Sequence, residues 1–221
     1  MLRVLRFLVW TLVWFVGLSL ALVVIFRFVP VPVTATMLMD EKGITKDWEP
    51  LSNIDRNMVR AVIGGEDGKF CSHDGFDREA IEKAIERNAR GGRIRGGSTI
   101  SQQTAKNVFL WQGGGYFRKG LEAGFTVLIE AIWGKRRIME VYLNVAETGE
   151  GIFGVEAATQ HYWGVSAADL GPQRSARLMA VLPDPRGRSP TSGSGYIARR
   201  GAAIERGAAT IRDDGRAACF L

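Results

Sequence analysis

The 221-residue sequence contains only two cysteines, two histidines and seven prolines. Cys71 and Cys219 lie far apart and form no Cys-x-x-Cys, so no cysteine motif for metal binding or redox chemistry is present. The two can pair in an oxidising compartment, but two free thiols is the simpler reading. Zinc-finger spacing and RNP-like motifs are also missing. The net charge of +6 and the pI near 9.6 therefore point to anionic lipid or phosphorylated substrates, and not to nucleic acid. There is no convincing strand run and no internal repeat.

Charge is missing altogether from Phe7 to Phe26, a stretch about one bilayer-spanning helix long. Trp10 and Trp14 lie toward its start, where indoles favour the interface. A secretory signal would have a shorter apolar region and an Ala-x-Ala-like site, for which Thr34-Ala35-Thr36 is a faint candidate. The expectation is an uncleaved signal anchor. Arg3 and Arg6 precede the span and only Arg27 closely follows it, which places the N-terminus in the cytoplasm and everything after Pro30 outside. Val29-Pro-Val-Pro-Val33 makes a stiff, extended exit. The expected organisation is a cytoplasmic stub (1–6), a transmembrane anchor (7–27), a connector (28–50) and a globular domain (51–221).

The 46% hydrophobic content supports a real core. Ser52 with Asp55 resembles a capping pair for a helix carrying Ile54, Met58, Ala61 and Val62. That helix delivers Glu66-Asp67, then Phe70, His73, Gly75 and Asp77. Carboxylates at the end of an apolar segment are poorly solvated on one side, which suits them to proton transfer. A solvated polar loop is the alternative. Asp77 is expected to cap the next helix, which Gly91-Gly92 stops.

Gly96 to Asn107 contains Thr99 and Gln102 at capping-box spacing, with Ser98, Gln103 and Lys106 as further donors. Glycines ahead of a helix N-terminus free backbone N–H groups for an anion. An ordinary capped helix is the competing reading. Gly113-Gly114-Gly115 reads as a mobile loop. A helix from Tyr116 to about Trp133 follows, with an apolar face of Phe117, Leu121, Gly124, Phe125, Leu128 and Ile132. Arg118 and Glu122 are i,i+4 neighbours on it, with Lys119 beside them; a surface ion pair is the plain reading. Lys135-Arg136-Arg137 opens the next helix against its macrodipole, which points to function over stability. Helices are also expected after Gly154 as far as Gly164, over Gln173–Leu182 and over Tyr196–Ile211.

Taken together, five segments resemble, in order, the monofunctional biosynthetic peptidoglycan glycosyltransferases, family 51 of the glycosyltransferases. They are Glu66-Asp67 to Asp77, Gly96 to Asn107, Arg118-Lys119-x-x-Glu122, Arg137-Ile138-Met139-Glu140-x-Tyr142-Leu143-Asn144, and Gly151-x-x-Gly154-Val155-Glu156-Ala157-Ala158. The resemblance covers roughly residues 45 to 200 plus the anchor. It implies a mainly α, lysozyme-like domain behind one N-terminal transmembrane helix at the bacterial inner membrane. The activity it implies is polymerisation of lipid II at the outer face of that membrane. The acceptor's 4-hydroxyl attacks C1 of the lipid-linked growing glycan, a β-1,4 bond forms with inversion, and polyprenyl diphosphate leaves.

The resemblance makes Glu66 the general base and Glu122 a second essential carboxylate. It gives substrate-binding roles to Asp67, His73, Asp77, Ser98, Thr99, Gln102, Gln103, Lys106, Arg118, Lys119 and Arg136. No cofactor is certain. The family pattern leaves room for a divalent cation, Mg2+ or Mn2+, and for partners among cell-wall synthesis or division proteins. Gly64-Gly65 replaces a common Ala-Ala, Gly114-Gly115 an Arg and a Ser, and Arg174 a frequent Glu. Neither Ser-x-x-Lys nor Lys-Thr-Gly occurs, so the second domain of a bifunctional penicillin-binding protein is not expected. Two rival readings are a lysozyme-like lytic enzyme, which has no use for clustered cations, and a membrane-anchored scaffold without catalysis.

Overall fold

The computed structural model describes residues 1–89, 97–193 and 195–220. Helix α1 (Leu2–Phe28) is long and apolar enough to cross a membrane, and almost all of it is exposed. It starts ahead of the uncharged stretch, because Arg3 and Arg6 are good helix formers and need no break before it. This one apolar helix fits a single-pass membrane anchor.

The connector is structured. It forms a short helix α2 (Ala35–Leu38), capped by Thr34, and a strand β1 (Thr45–Lys46). β1 pairs parallel with β3 (Ile152–Phe153), and β3 pairs antiparallel with β2 (Glu147–Gly149). This small sheet departs from the strand-free reading. Strands of two or three residues are too short to leave a period-2 pattern in a sequence.

The rest of the described chain is helical: α3 (Arg56–Glu66), α4 (Arg78–Ala89), α5 (Ile100–Phe109), α6 (Gly115–Ile132), α7 (Gly134–Val145), α8 (Val155–Trp163), α9 (Gly171–Val181) and α10 (Gly195–Asp213). Helix α3 is capped by Asp55 alone, through Asn57 N–H at 2.8 Å; Ser52 sits in the preceding 3-10 turn. Asp77 caps α4 through Ala80 N–H at 3.0 Å. The expected Gly91-Gly92 stop lies outside the described residues.

Helix α7 runs through the core with Ile138, Met139, Val141, Tyr142 and Leu143 buried. Its polar residues join other elements to it. Asn144 exchanges two 2.8 Å hydrogen bonds with the main chain of Glu49, and Glu140 accepts from Leu51 N–H at 2.9 Å. Helix α10 crosses α3 at close range. A Cβ on Gly64 would stand 3.0 Å from the backbone nitrogen of Ala208, so this glycine lets α10 approach.

Cys71 and Cys219 form a disulfide, contrary to the two-free-thiols reading. It joins the 3-10 turn after the Glu66 loop to the C-terminal turn, where Phe220 stacks on Phe70 at 5.8 Å. The sequence separation of 148 hid the pairing. Helix α6 follows the expected face except at its first turn, and adds a buried carboxylate. It buries Glu122, Phe125, Thr126 and Ile129, whereas Phe117 is exposed and Leu121 and Leu128 are half-buried. Of the expected apolar face, Phe125 is buried and Leu121, Leu128 and Ile132 pack half-buried against the core, while the Glu122 carboxylate is buried beside them.

Candidate active site

Glu66 is the last residue of α3, at the end of a turn with buried Ala61, Val62 and Ile63. Burial pushes its carboxyl above the usual range, and the neighbouring charge of Asp67 adds to this. Two groups oppose the rise. Gln103 Nε2 donates to Glu66 Oε2 at 2.9 Å, and the Arg200 guanidinium lies near enough to favour the charged form. Arg200 is fixed by donating to the carbonyl of Gly65 at 2.9 Å. On the other side, the Tyr142 hydroxyl meets Gln103 Oε1 at 3.3 Å, which orients the amide. Tyr142 is itself fully buried, with its phenol pushed well up by desolvation.

Asp67 turns inward. Its carboxylate accepts from Ile100 N–H at the start of α5 (3.1 Å) and lies 3.0 Å from His73 Nε2. His73 Nδ1 accepts from Gly75 N–H at 3.1 Å, so the proton sits on Nε2 and points to Asp67. The pair fastens the loop after Glu66 to α5. Thr99 and Gln102 form the capping box that the sequence indicates, with Thr99 N–H to Gln102 Oε1 at 3.0 Å and Gln102 N–H to Thr99 Oγ1 at 3.2 Å. Both are buried, and Thr99 Oγ1 also donates to the Gly75 carbonyl at 2.6 Å, while Asp77 Oδ1 is used in its own cap.

The cations gather one turn further along. Glu122, only 2% exposed, pairs with Arg118 at 2.5 Å and with Lys119. Lys119 also reaches Ser98 Oγ at 3.2 Å. Lys106 stands within the field of all three, half-buried, with no hydrogen bond or ion pair of its own among the described residues. Burial lowers its pKa, with Arg118 and Lys119 contributing in the same direction. Glu122 faces two of these cations and Glu147 also lies within the field of Lys106, so the cluster keeps an excess of positive charge. The Gly113–Gly115 turn holds Arg118 in place. All three glycines have positive φ (81°, 81° and 57°), and Arg118 Nε donates to the Gly113 carbonyl.

Arg136 is not with them. It donates to the Phe220 carbonyl at 3.3 Å and lines a separate pocket of 190 Å³ with Arg56 and Arg60. Its neighbours in sequence also have structural partners. Lys135 pairs with Glu130 at 2.7 Å, and Arg137 donates to the carbonyls of Phe26 (3.0 Å) and Val29 (2.6 Å) at the end of α1. The three cations at the start of α7 thus fasten adjoining elements.

Gln103 and Lys106 are i,i+3 neighbours on α5 and line one cleft of about 340 Å³. Tyr142, Glu147 and Arg186 complete its wall; Glu147 pairs with Arg186 at 2.6 Å. Sequence reasoning missed Glu147, Arg186 and Arg200. The only signal for Arg200 was the basic character of the last helix. Among the described residues no group of three His, Cys, Asp or Glu side chains converges on a metal position, and Glu122 is already engaged by two cations.

Through Gln103 this cleft wall reaches the desolvated Glu66 carboxylate, and through Lys106 the field of Arg118, Lys119 and Glu122, an arrangement that suits a reaction that removes a proton and releases an anion. Comparison with known proteins gives the family. The family model described as Transglycosylase matches residues 34–208. A biosynthetic peptidoglycan transglycosylase of Caulobacter vibrioides is 52% identical over 200 residues, covering 89% of this chain and 87% of that protein. The protein of the same name from Rhodospirillum centenum is 51% identical, covering 92% and 90%. The one from Pseudomonas putida is 50% identical, covering 88% and 86%. The chain belongs to the transglycosylase family.

Proposed function

We propose that the protein polymerises peptidoglycan glycan strands from lipid II at the outer face of the inner membrane. The carrying observation is that one face of α5 presents Gln103 to Glu66 and Lys106 to the Arg118–Lys119–Glu122 cluster. In this reading Glu66 takes the proton from the acceptor's 4-hydroxyl as that oxygen attacks C1 of the lipid-linked glycan. The C1–oxygen bond to the diphosphate breaks from the opposite side, giving inversion. The leaving diphosphate gains charge beside Lys106, Arg118 and Lys119, whose fixed positions need no reorganisation. Glu122 holds two of those cations in place.

The disulfide supports an oxidising compartment for the domain, and the charge bias around α1 supports a cytoplasmic N-terminus. A lytic enzyme cleaving uncharged glycosidic bonds gains nothing from a cluster of three cations. The test is a polymerisation assay on the purified full chain with lipid II, resolving glycan products on a gel. Long glycans from wild type and none from Glu66→Gln are expected. Failure of wild type to make polymer, or cleavage of preformed glycan, overturns the reading.

A further inference from the structure

Arg56, Arg60 and Arg136 line one pocket of 190 Å³, to which Leu51, Ile54 and Phe220 supply an apolar lining. Among the described residues none of these three arginines has an ion pair; Arg136 donates to the Phe220 carbonyl at 3.3 Å. Stability does not ask for this grouping. Arg56 opens α3 and Arg136 sits in the first turn of α7, where the helix dipole opposes a cation. Arg56 and Arg60 are also like charges at i,i+4 spacing. The pocket wall is held in place by the C-terminal turn: Phe220 stacks on Phe70 at 5.8 Å, and the adjoining Cys219 is bonded to Cys71.

Helix α1 sets the height of this pocket. Trp133 Nε1 donates to the Val23 carbonyl at 2.7 Å, and Arg137 donates to those of Phe26 and Val29 at 3.0 and 2.6 Å. The rise from Trp133 to Arg137, about 6 Å, thus matches a rise of about 4.5–9 Å along α1, so the start of α7 runs beside the end of α1. The uncharged stretch of α1 ends at Phe26, and Arg27 follows. Arg136, next to Arg137, therefore stands at the level where hydrocarbon gives way to headgroups. Anionic headgroups at such a surface attract clustered arginines.

We propose that this pocket binds the headgroup of an anionic phospholipid, with its phosphate on Arg56, Arg60 and Arg136 and its glycerol against Leu51, Ile54 and Phe220. Guanidinium forks match phosphate oxygens in geometry as well as charge. A bare phosphate would leave the apolar lining unused, and an acidic peptide gains nothing from the height of the pocket. The site shares no lining residue with the cleft of Gln103 and Lys106. The inference needs α1 to cross a bilayer and is independent of the polymerase reading. The bound lipid is a fixed part of the protein's seat in the membrane, not its substrate.

The test places the full chain in phosphatidylcholine nanodiscs that contain phosphatidylglycerol with a photoreactive diazirine on its headgroup. Adducts are expected within residues 51–60 and 217–220, suppressed by unlabelled phosphatidylglycerol and not by inorganic phosphate or polyglutamate. Equal suppression by inorganic phosphate would mean an anion site indifferent to lipid, and suppression by polyglutamate a site for acidic protein; either overturns the proposal, as do adducts spread evenly along α1. Arg56→Gln combined with Arg60→Gln should weaken apparent affinity for phosphatidylglycerol about thirtyfold, from two lost headgroup contacts. Arg199→Gln combined with Arg206→Gln removes the same charge from exposed positions on α10 and should change it by less than about threefold. Equal losses in the two double variants would mean that net charge alone attracts the lipid, and also overturn it. Mapping adducts on the wild-type chain needs neither variant to fold and no turnover, so an inactive wild type that labels as expected would sink the polymerase reading and leave the lipid site standing.

Discussion

Gln103 donates its amide hydrogen to Glu66 across 2.9 Å, and this bond lowers a carboxyl pKa that burial raises. The base is therefore tuned by an opposing pair of effects, and each can be altered separately.

Glu66→Gln should lower polymerisation by at least about 10²- to 10⁴-fold, the usual contribution of a positioned base. Stability should move the other way. The folded state binds the Glu66 proton more tightly than the unfolded chain, so the ionised group costs stability above its folded pKa, and that cost disappears as pH falls through it. Thermal melts should show Glu66→Gln at or above wild type near neutral pH, with the gain vanishing in acid. A variant that melts lower at every pH contradicts this account.

Gln103→Leu and Arg200→Gln each remove an influence that lowers the Glu66 pKa. The acidic limb of the kcat/KM profile should shift to higher pH in both variants. An unshifted limb with a uniformly lower plateau would mean that they position substrate instead.

Lys106, Arg118 and Lys119 should each cost about 10- to 150-fold in affinity for a diphosphate-mimicking inhibitor such as moenomycin when replaced by alanine, the range for a lost charge-assisted contact. Arg136→Ala should stay close to wild type, because Arg136 faces Phe220 and a different pocket. Fluorescence anisotropy across the four variants decides it; equal losses in all four would place Arg136 back in the site.

Cys71→Ser should lower unfolding stability by about 2–5 kcal/mol, the usual cost of losing a native disulfide. Activity should fall more steeply on reduction than helix content, because the bond anchors the turn that follows Asp67 and precedes His73. Circular dichroism and polymerisation measured in parallel, with and without reductant, test this.

Local chemistry was legible in the sequence. The Thr99–Gln102 box, the Asp77 cap and the Arg118–Glu122 pair all involve residues within four positions of each other, where helix geometry alone fixes the contact. Glu66 was legible because apolar residues lead up to it. Contacts across the fold were not. The sequence left the pairing of Cys71 with Cys219 open and gave no sign of Arg200 on Gly65, because tertiary packing makes them neighbours. The Lys135–Arg137 run shows the intermediate case. The charge pattern was visible, but which of three successive side chains faces which neighbour depends on how α7 is rotated in the core. That rotation sends Arg137 to α1 and Arg136 to the C-terminus.

The carbonyls of Val23, Phe26, Val29 and Pro32 are each held by a side chain of the domain or connector: Trp133, Arg137, Arg137 again and Lys46. A flexible leash would only keep the enzyme near the bilayer. Four fixed points make a bracket, and a bracket sets altitude. The height of Glu66 above the lipid is then a constant of the molecule. A substrate whose diphosphate rides at the same surface meets the cleft by sliding sideways, so encounter is a search in two dimensions between parts already levelled to one plane.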